Sequence, residues 1–257
     1  MDIPSVPTAI DILYRDDSIV AINKPGGLLV HRSPVDRHET RFALQLLRDQ
    51  LGRRVYPVHR LDKPTSGLLL FALDPTTAQI LAAQFADRSV EKAYLAIVRG
   101  WCPEQGRIDH PLREQPDAAD TAAHRGAPKV QAAVTDYQRL ACVELDVAVD
   151  RYPRTRYSLV LLRPLTGRRH QLRRHMKHIS HPIIGDANHG KGVHNRFFQQ
   201  ALGCDRLLLA SVAARFTHPH TGQRLHLRAP PGAEFDSLAA RFGWTAELEP
   251  FSARTPD

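Results

Sequence analysis

The 257-residue chain reads as a mixed α+β protein built on a largely antiparallel sheet. Three observations give that class. Runs with strand composition recur along most of the chain and are joined by turn signals, few stretches carry helical periodicity, and no internal repeat organises them.

The elements follow in order. Ile12 to Tyr14 and Ser18 to Asn23 are strand-like and flank Arg15-Asp16-Asp17, which predicts a hairpin. Asn23-Lys24-Pro25-Gly26-Gly27 then forces a loop. The stretch VHRLDKPTSGLLLFAL, Val58 to Leu73, joins a turn suited to Asp62 and Pro64 to an unbroken apolar run, Gly67 to Leu73, with the composition of a buried strand. Asp74 as N-cap, Pro75 as first helical residue, and Ala78, Leu81, Ala82 and Phe85 at helical spacing predict a helix over Pro75 to Asp87. Val90 to Val98 alternates Tyr94, Ala96 and Val98 against Ala93, Leu95 and Ile97, a strand covered on both faces.

Residues 103–130 turn polar and rich in Pro, Gly and Ala, which predicts a surface excursion of low order. Strand-like runs resume at Ala132 to Tyr137, Ala141 to Val149, Tyr157 to Leu162, Leu207 to Phe216 and Arg224 to Arg228, with a turn at His220 to Gln223. Arg168 to Ser180 reads as an amphipathic helix, with Leu172, Met176 and Ile179 facing the core and His170, Arg173, Arg174 and Lys177 on a cationic side. Thr166-Gly167 before it permits close backbone approach at a helix start, a place that attracts phosphate or carboxylate. The 42% hydrophobic content fills the core of one large domain, taken as residues 1–257.

Cysteine usage and charge narrow the function. Cys102, Cys142 and Cys204 stand far apart with no C-x-x-C pair, which suggests a reducing compartment and neither a disulfide framework nor a zinc ribbon. The N-terminal MDIPSVPTAIDILYRDD lacks the pattern of a signal peptide, and no apolar run is long enough for a bilayer, so the expectation is a soluble cytoplasmic protein with no membrane partner. Nine basic residues and no acid lie between Arg151 and Lys177, which exceeds the whole chain's formal charge of +8. A run of one sign predicts an anionic partner.

His170, His175, His178 and His181 have spacings that metal ligands use, but Arg169, Arg173, Arg174 and Lys177 would repel a dication and no acid or cysteine completes a set, so no metal site is assigned. Asp62, among His59, Arg60 and Lys63, has the charge environment that keeps a carboxylate ionised, and an arginine of the basic helix is suited to grip it. A retaining glycosidase would require a second carboxylate, and none is near in sequence.

Four stretches together resemble the pseudouridine synthases of the RluA type: NKPGGLLVHR (Asn23 to Arg32), HRLDKPTSG (His59 to Gly67), EKAYLAIVRG (Glu91 to Gly100) and TGRRHQLRRHMKHISHPIIGD (Thr166 to Asp186). Their order and spacing match from about residue 11 to about residue 230. VHRSPVDR (Val30 to Arg37), RYPRTRYSLV (Arg151 to Val160) and NRFFQQALGCDRLLL (Asn195 to Leu209) are similar to the branch that modifies a T-stem uridine of tRNA.

The resemblance implies a bent, largely antiparallel sheet flanked by helices with a central cleft, and isomerisation of an extruded uridine with no cofactor and no obligatory protein partner. It implies that Asp62 is the catalytic carboxylate, that Tyr94 stacks on the base and serves as the base at its C5 carbon, and that Arg173 pairs with Asp62. Arg60 would fill the gap left by the flipped nucleotide, and His59, Arg168, Arg169, Arg174 and Lys177 would complete the RNA-binding surface.

Three features depart from the family pattern. Ala210 follows Leu209 where a histidine is common, His189 replaces an aromatic residue after the G-D pair, and no S4-type RNA-binding domain precedes the catalytic pattern. A ribosomal-RNA synthase of the same family, a non-catalytic RNA-binding protein and a base-excising hydrolase are the competing functions.

Overall fold

The computed structural model describes residues 9–32, 39–114 and 129–253. In chain order the strands are β1 (Asp11–Arg15), β2 (Ile19–Lys24), β3 (Tyr56–Pro57), β4 (Ser66–Ala72), β5 (Glu91–Arg99), β6 (Gln105–Asp109), β7 (Leu112–Arg113), β8 (Val130–Gln131), β9 (Val134–Leu145), β10 (Thr155–Pro164), β11 (Leu209–Thr217) and β12 (Arg224–Arg228). The helices are α1 (Ala43–Leu51), α2 (Pro75–Ala86), α3 (Gln171–His178), α4 (Gly192–Leu202), α5 (Ala233–Phe242) and α6 (Thr245–Ser252).

Ten strands form one sheet in the order β1-β2-β4-β11-β5-β10-β9-β6, with β3 added to β4 and β12 to β11, while β7 and β8 make a separate ribbon. The strand pairings described are antiparallel with one exception, the short parallel junction of β4 with β11 at Ser66↔Ala210 and Gly67↔Ser211. That junction is a seam between two antiparallel halves. Gly67 makes it possible: its φ is +101°, and a Cβ there would stand 2.1 Å from the Ser211 carbonyl oxygen.

Both faces of the sheet are covered, as the alternation of β5 predicts. Leu95 and Ile97 join Phe198 of α4, Phe235 and Leu238 of α5 and Leu248 of α6 on one face. Ala96 and Val98 join Leu172 and Met176 of α3 on the other. The first half of the sheet is packed by α1 through Ala43 and Leu47, and by α2 through Leu81. All seven residues of β4 are buried. The predicted N-cap is present: Asp74 accepts from Thr77 N at 2.9 Å, a contact that contributes about 1 kcal/mol to a helix start.

Several expectations are corrected. The runs at 132–137 and 141–149 are one strand, β9, whose pairing with β10 shifts register opposite Leu159/Val160, and this bulge breaks the alternation read from the sequence. The first part of the expected excursion is ordered: β6 pairs with β9 and buries Ile108, and β7 buries Leu112. An edge strand covered on one face needs only such sparse apolar residues. Residues 115–128 of that excursion, and 33–37 of the VHRSPVDR stretch, lie outside the described residues. The basic helix starts at Gln171 rather than Arg168, because His170 takes a left-handed conformation (φ 53°, ψ 27°) that no helix continues through. No helix among the described residues is long and apolar enough to cross a membrane.

Gly67→Ala must either open the seam or strain a positive-φ residue, so it is expected to lose roughly 3 kcal/mol or more of unfolding free energy in urea. A loss below about 1 kcal/mol would show that the close approach of β4 and β11 is not needed.

Candidate active site

The seam positions the candidate carboxylate. The loop that carries Asp62 runs directly into β4 and closes on itself through Thr65 N to Asp62 O at 3.0 Å. At its start, His59 Nε2 accepts from Leu70 N at 3.0 Å and its ring stacks on Phe85, with centroids 4.4 Å apart. Its far side rests on the NKPGG loop: Gly27 N donates to Lys63 O at 2.9 Å, and the fully buried Lys24 donates through Nζ to Pro25 O (2.8 Å), Leu28 O (2.8 Å) and Lys63 O (3.1 Å). Burial, helped by the Arg206 charge, pushes the Lys24 ammonium down to about 7 against the opposing attraction of Asp62. Sequence reading placed Lys24 in a loop and missed this role as a strut.

Arg173 joins the two halves of the site. Its guanidinium grips Asp186 in bidentate fashion, Nε to Oδ2 at 2.7 Å and Nη2 to Oδ1 at 2.8 Å, and its Nη1 donates to Asp62 Oδ2 at 3.1 Å. Asp186 was also missed from sequence, where the G-D pair serves only as a landmark before His189. Burial raises its carboxyl, but hydrogen bonds from Arg173 and from the N–H groups of His189 and Asn188 outweigh it and hold the group below its ordinary value. Burial disfavours the charged Arg173 as well, and the contacts with Asp186 and Asp62 more than restore it.

A cavity of about 490 Å³ opens over this pair. Asp62, Tyr94 and Arg173 line it together with His59, Arg60, Arg168, Arg169 and His170. Tyr94 comes from β5 beside its cross-strand partner Ser211. Burial pushes its phenol up to about 12, with a hydrogen bond from Ser211 opposing and the Asp62 charge adding. Arg60 is exposed and Arg168 half-buried, donating one N–H to Ala132 O at 3.1 Å. Arg174 and Lys177 lie outside the cavity; Arg174 donates to Arg113 O at 3.0 Å, tying α3 to β7, and Lys177 is exposed.

One expectation changes here. Arg154 and Arg156 of the basic run meet Glu144 on β9 at 3.0 and 2.5 Å, a cross-strand partner that a count along the sequence cannot see. The four histidines that invited a metal reading diverge: His175 bonds Thr135 and His110 O, His178 stacks on His110, His181 bonds Arg99 O, and His170 bonds His189.

The arrangement is a carboxylate held by a buried guanidinium, facing a phenol across a pocket rimmed with planar cations. It suits an anionic ligand with a flat ring. The family model described as RNA pseudouridylate synthase matches residues 18–178. A protein of Vibrio cholerae named tRNA pseudouridine synthase C is 48% identical over 93% of this chain and 98% of its own length, and one of the same name from Haemophilus ducreyi is 51% identical over 91% and 96%. The solved structure of human RNA pseudouridylate synthase domain containing 4 superposes with a TM-score of 0.68 at 26% identity, covering 91% of this chain and 93% of that one. The chain belongs to the RNA pseudouridylate synthase family, isomerases that convert uridine in RNA to pseudouridine.

Stability should respond to pH through His59. Burial, with the Lys92 charge, pushes its imidazole down from 6.5 to about 3, so the unfolded chain binds a proton that the folded chain refuses. Stability from the neutral ring is complete above the unfolded value and is lost as pH falls from there toward the folded one; carboxylates held low, such as Asp186, act in the same direction. Between about pH 7 and about pH 5, His59→Gln, which keeps an acceptor for Leu70 N, should lose less unfolding free energy than the parent. Equal slopes in the two proteins would contradict a buried neutral His59.

Proposed function

We propose that the chain isomerises a uridine in the T stem of tRNA, with Asp62 as the nucleophile, Tyr94 as the base at C5 and Arg173 as the group that orients Asp62. The relatives named tRNA pseudouridine synthase C, matched along nearly their full lengths, support tRNA over ribosomal RNA. The observation that carries the assignment of Asp62 is its contact with a guanidinium already neutralised by a second, buried carboxylate.

A base inside a stem is out of reach of any side chain, so the uridine is extruded at a cost of a few kcal/mol, offset by stacking and by phosphate contacts. Arg60, on the cavity rim, would fill the vacated position, and Arg168, Arg169, Arg174 and Lys177 would meet phosphates. Asp62 adds to the flipped nucleoside, at the ribose or at the uracil ring. The C1′–N1 bond breaks, the base turns, C1′–C5 forms, the bond to Asp62 breaks and returns the free carboxylate, the C5 proton leaves to the Tyr94 oxygen as the phenol proton passes to water, or leaves to water directly, and N1 gains a proton. The reaction balances without an electron or group donor, so no cofactor is invoked. We assign this activity to one catalytic domain spanning residues 1–257, acting in the cytoplasm on tRNA without a membrane or an obligatory protein partner.

Incubation with a tRNA transcript carrying tritium at uracil C5 should release label to water. Asp62→Asn should abolish release while tRNA binding persists; full turnover by that variant would remove Asp62 as the nucleophile, no release by the parent protein would leave only an RNA-binding role, and release of free uracil would instead show a hydrolase.

Arg173→Lys keeps a charge but lacks the fork that reaches two carboxylates, so its turnover should fall at least about tenfold. Arg174→Ala should weaken tRNA affinity with turnover at saturation unchanged. Equal, mild effects of the two would remove Arg173 from the active site.

A further inference from the structure

His170 and His189 have no part in the roles assigned so far, yet both are held at the nucleophile. His170 precedes α3 with the left-handed backbone that a non-glycine residue rarely adopts, and its side chain makes no capping hydrogen bond to the helix. That conformation turns the ring into the cavity. Its Nε2 lies 3.9 Å from Asp62 Oδ2, the same oxygen that Arg173 Nη1 contacts at 3.1 Å. Its Nδ1 lies 3.1 Å from His189 Nε2, with the two rings edge to face. His189 belongs to the loop whose N–H groups bind Asp186, so one segment supports both groups that face Asp62.

Only one proton fits between two neutral imidazoles. Placed on His170 Nδ1, it would leave the bare Nε2 lone pair aimed at a carboxylate. Placed on His189 Nε2, it leaves His170 with an Nε2–H that the carboxylate attracts. The charge of Asp62 selects the second arrangement. The groups facing His170 are Asp62, Arg173, Arg169 and His189; burial outweighs the pull of Asp62 and pushes the imidazole down to about 4, which keeps it neutral.

We infer that His189 is a positioning residue acting through His170: it fixes the tautomer that presents an Nε2–H to Asp62, so that two donors restrain Oδ2 and leave Oδ1 to face the nucleoside. At 3.9 Å the contact is too long for a hydrogen bond, and a closure of roughly 1 Å on substrate binding makes it one. The inference rests on Asp62 being the nucleophile.

The test is tritium release from C5-labelled tRNA by His189→Phe, His189→Gln, His189→Glu, His170→Phe and the double phenylalanine variant. His189→Phe should lower kcat about tenfold with KM unchanged, the scale of one lost hydrogen bond. His189→Gln, whose amide N–H replaces Nε2–H, should recover most of the rate, and the isosteric His189→Glu, which only accepts, should not. The double variant should be no slower than His170→Phe alone, since one residue works through the other. Full kcat in His189→Phe, a loss confined to KM, multiplying losses in the double variant, or equal rates for the Gln and Glu variants would each overturn the inference. The Gln and Glu pair decides the matter even where His189→Phe does not fold. Turnover by Asp62→Asn in the same assay would overturn the nucleophile assignment and this inference together; an inactive Asp62→Asn beside a fully active His189→Glu would overturn this inference alone.

Discussion

The site depends on one buried guanidinium with two carboxylate partners. Arg173 is 4% exposed, and a cation withdrawn from water to that degree costs several kcal/mol unless its donors are matched. Asp186, itself buried, matches it in bidentate geometry. Asp186 is fixed in turn by the N–H groups of Asn188 and His189, and Asn195 clamps its loop from both sides, accepting from Gly185 N and donating to Asp186 O. The charge of Arg173 is therefore matched without Asp62. The nucleophile candidate, 22% exposed at its side chain, receives a single N–H from that guanidinium and stays open to the cavity. A structural ion pair and a candidate nucleophile share one cation.

The same division of labour runs through the sheet. The seam between its halves, where Gly67 passes against Ser211, brings the Asp62 loop from one half beside Tyr94 of the other. Lys24 at the end of β2 and Gly27 in the loop after it brace that loop, and His59 pins it to β4. At the facing wall, Gly185 (φ +77°) brings its own loop so close that a Cβ would meet the Arg206 carbonyl oxygen at 1.9 Å. Two glycines thus permit the close approaches that position the loops carrying Asp62 and Asp186.

Much of this was legible in the sequence, for identifiable reasons. The alternation of Tyr94, Ala96 and Val98 against Leu95 and Ile97 places β5 between two covered faces, and Asp74-Pro75 marks the start of α2. The four motifs bring Asp62, Tyr94 and Arg173 to one cavity although 111 residues separate the first from the last. What escaped is what depends on backbone conformation or on partners across the sheet. The periodicity of the basic helix runs back through Arg168, and only the left-handed turn at His170 stops the helix short of it. Beyond Arg228, α5 was passed over although Phe235, Leu238 and Ala239 form a helical stripe, as was α6, whose pattern Pro250 interrupts. Asp186 lay outside any charge count because its partner is 13 residues away on another element.

The cations therefore fall into two groups that composition cannot separate. Arg154 and Arg156 are paired with Glu144, and Arg154 with Asp146 as well, at the far end of β10 and β9, and Arg173 is paired with Asp186, so a third of the nine basic residues are already engaged within the protein. Arg168 and Arg174 each give one N–H to a carbonyl, of Ala132 and Arg113, and so fasten the residue after β8 to the turn before α3 and β7 to α3 itself. A guanidinium has five N–H groups, and a carbonyl occupies only one of them while adding no countercharge. These two arginines keep their full charge while their positions are fixed. A rim organised in this way presents phosphate ligands without the cost of ordering long side chains at the moment of binding. The positive face that an RNA meets is thus smaller than the sequence suggests, and better ordered.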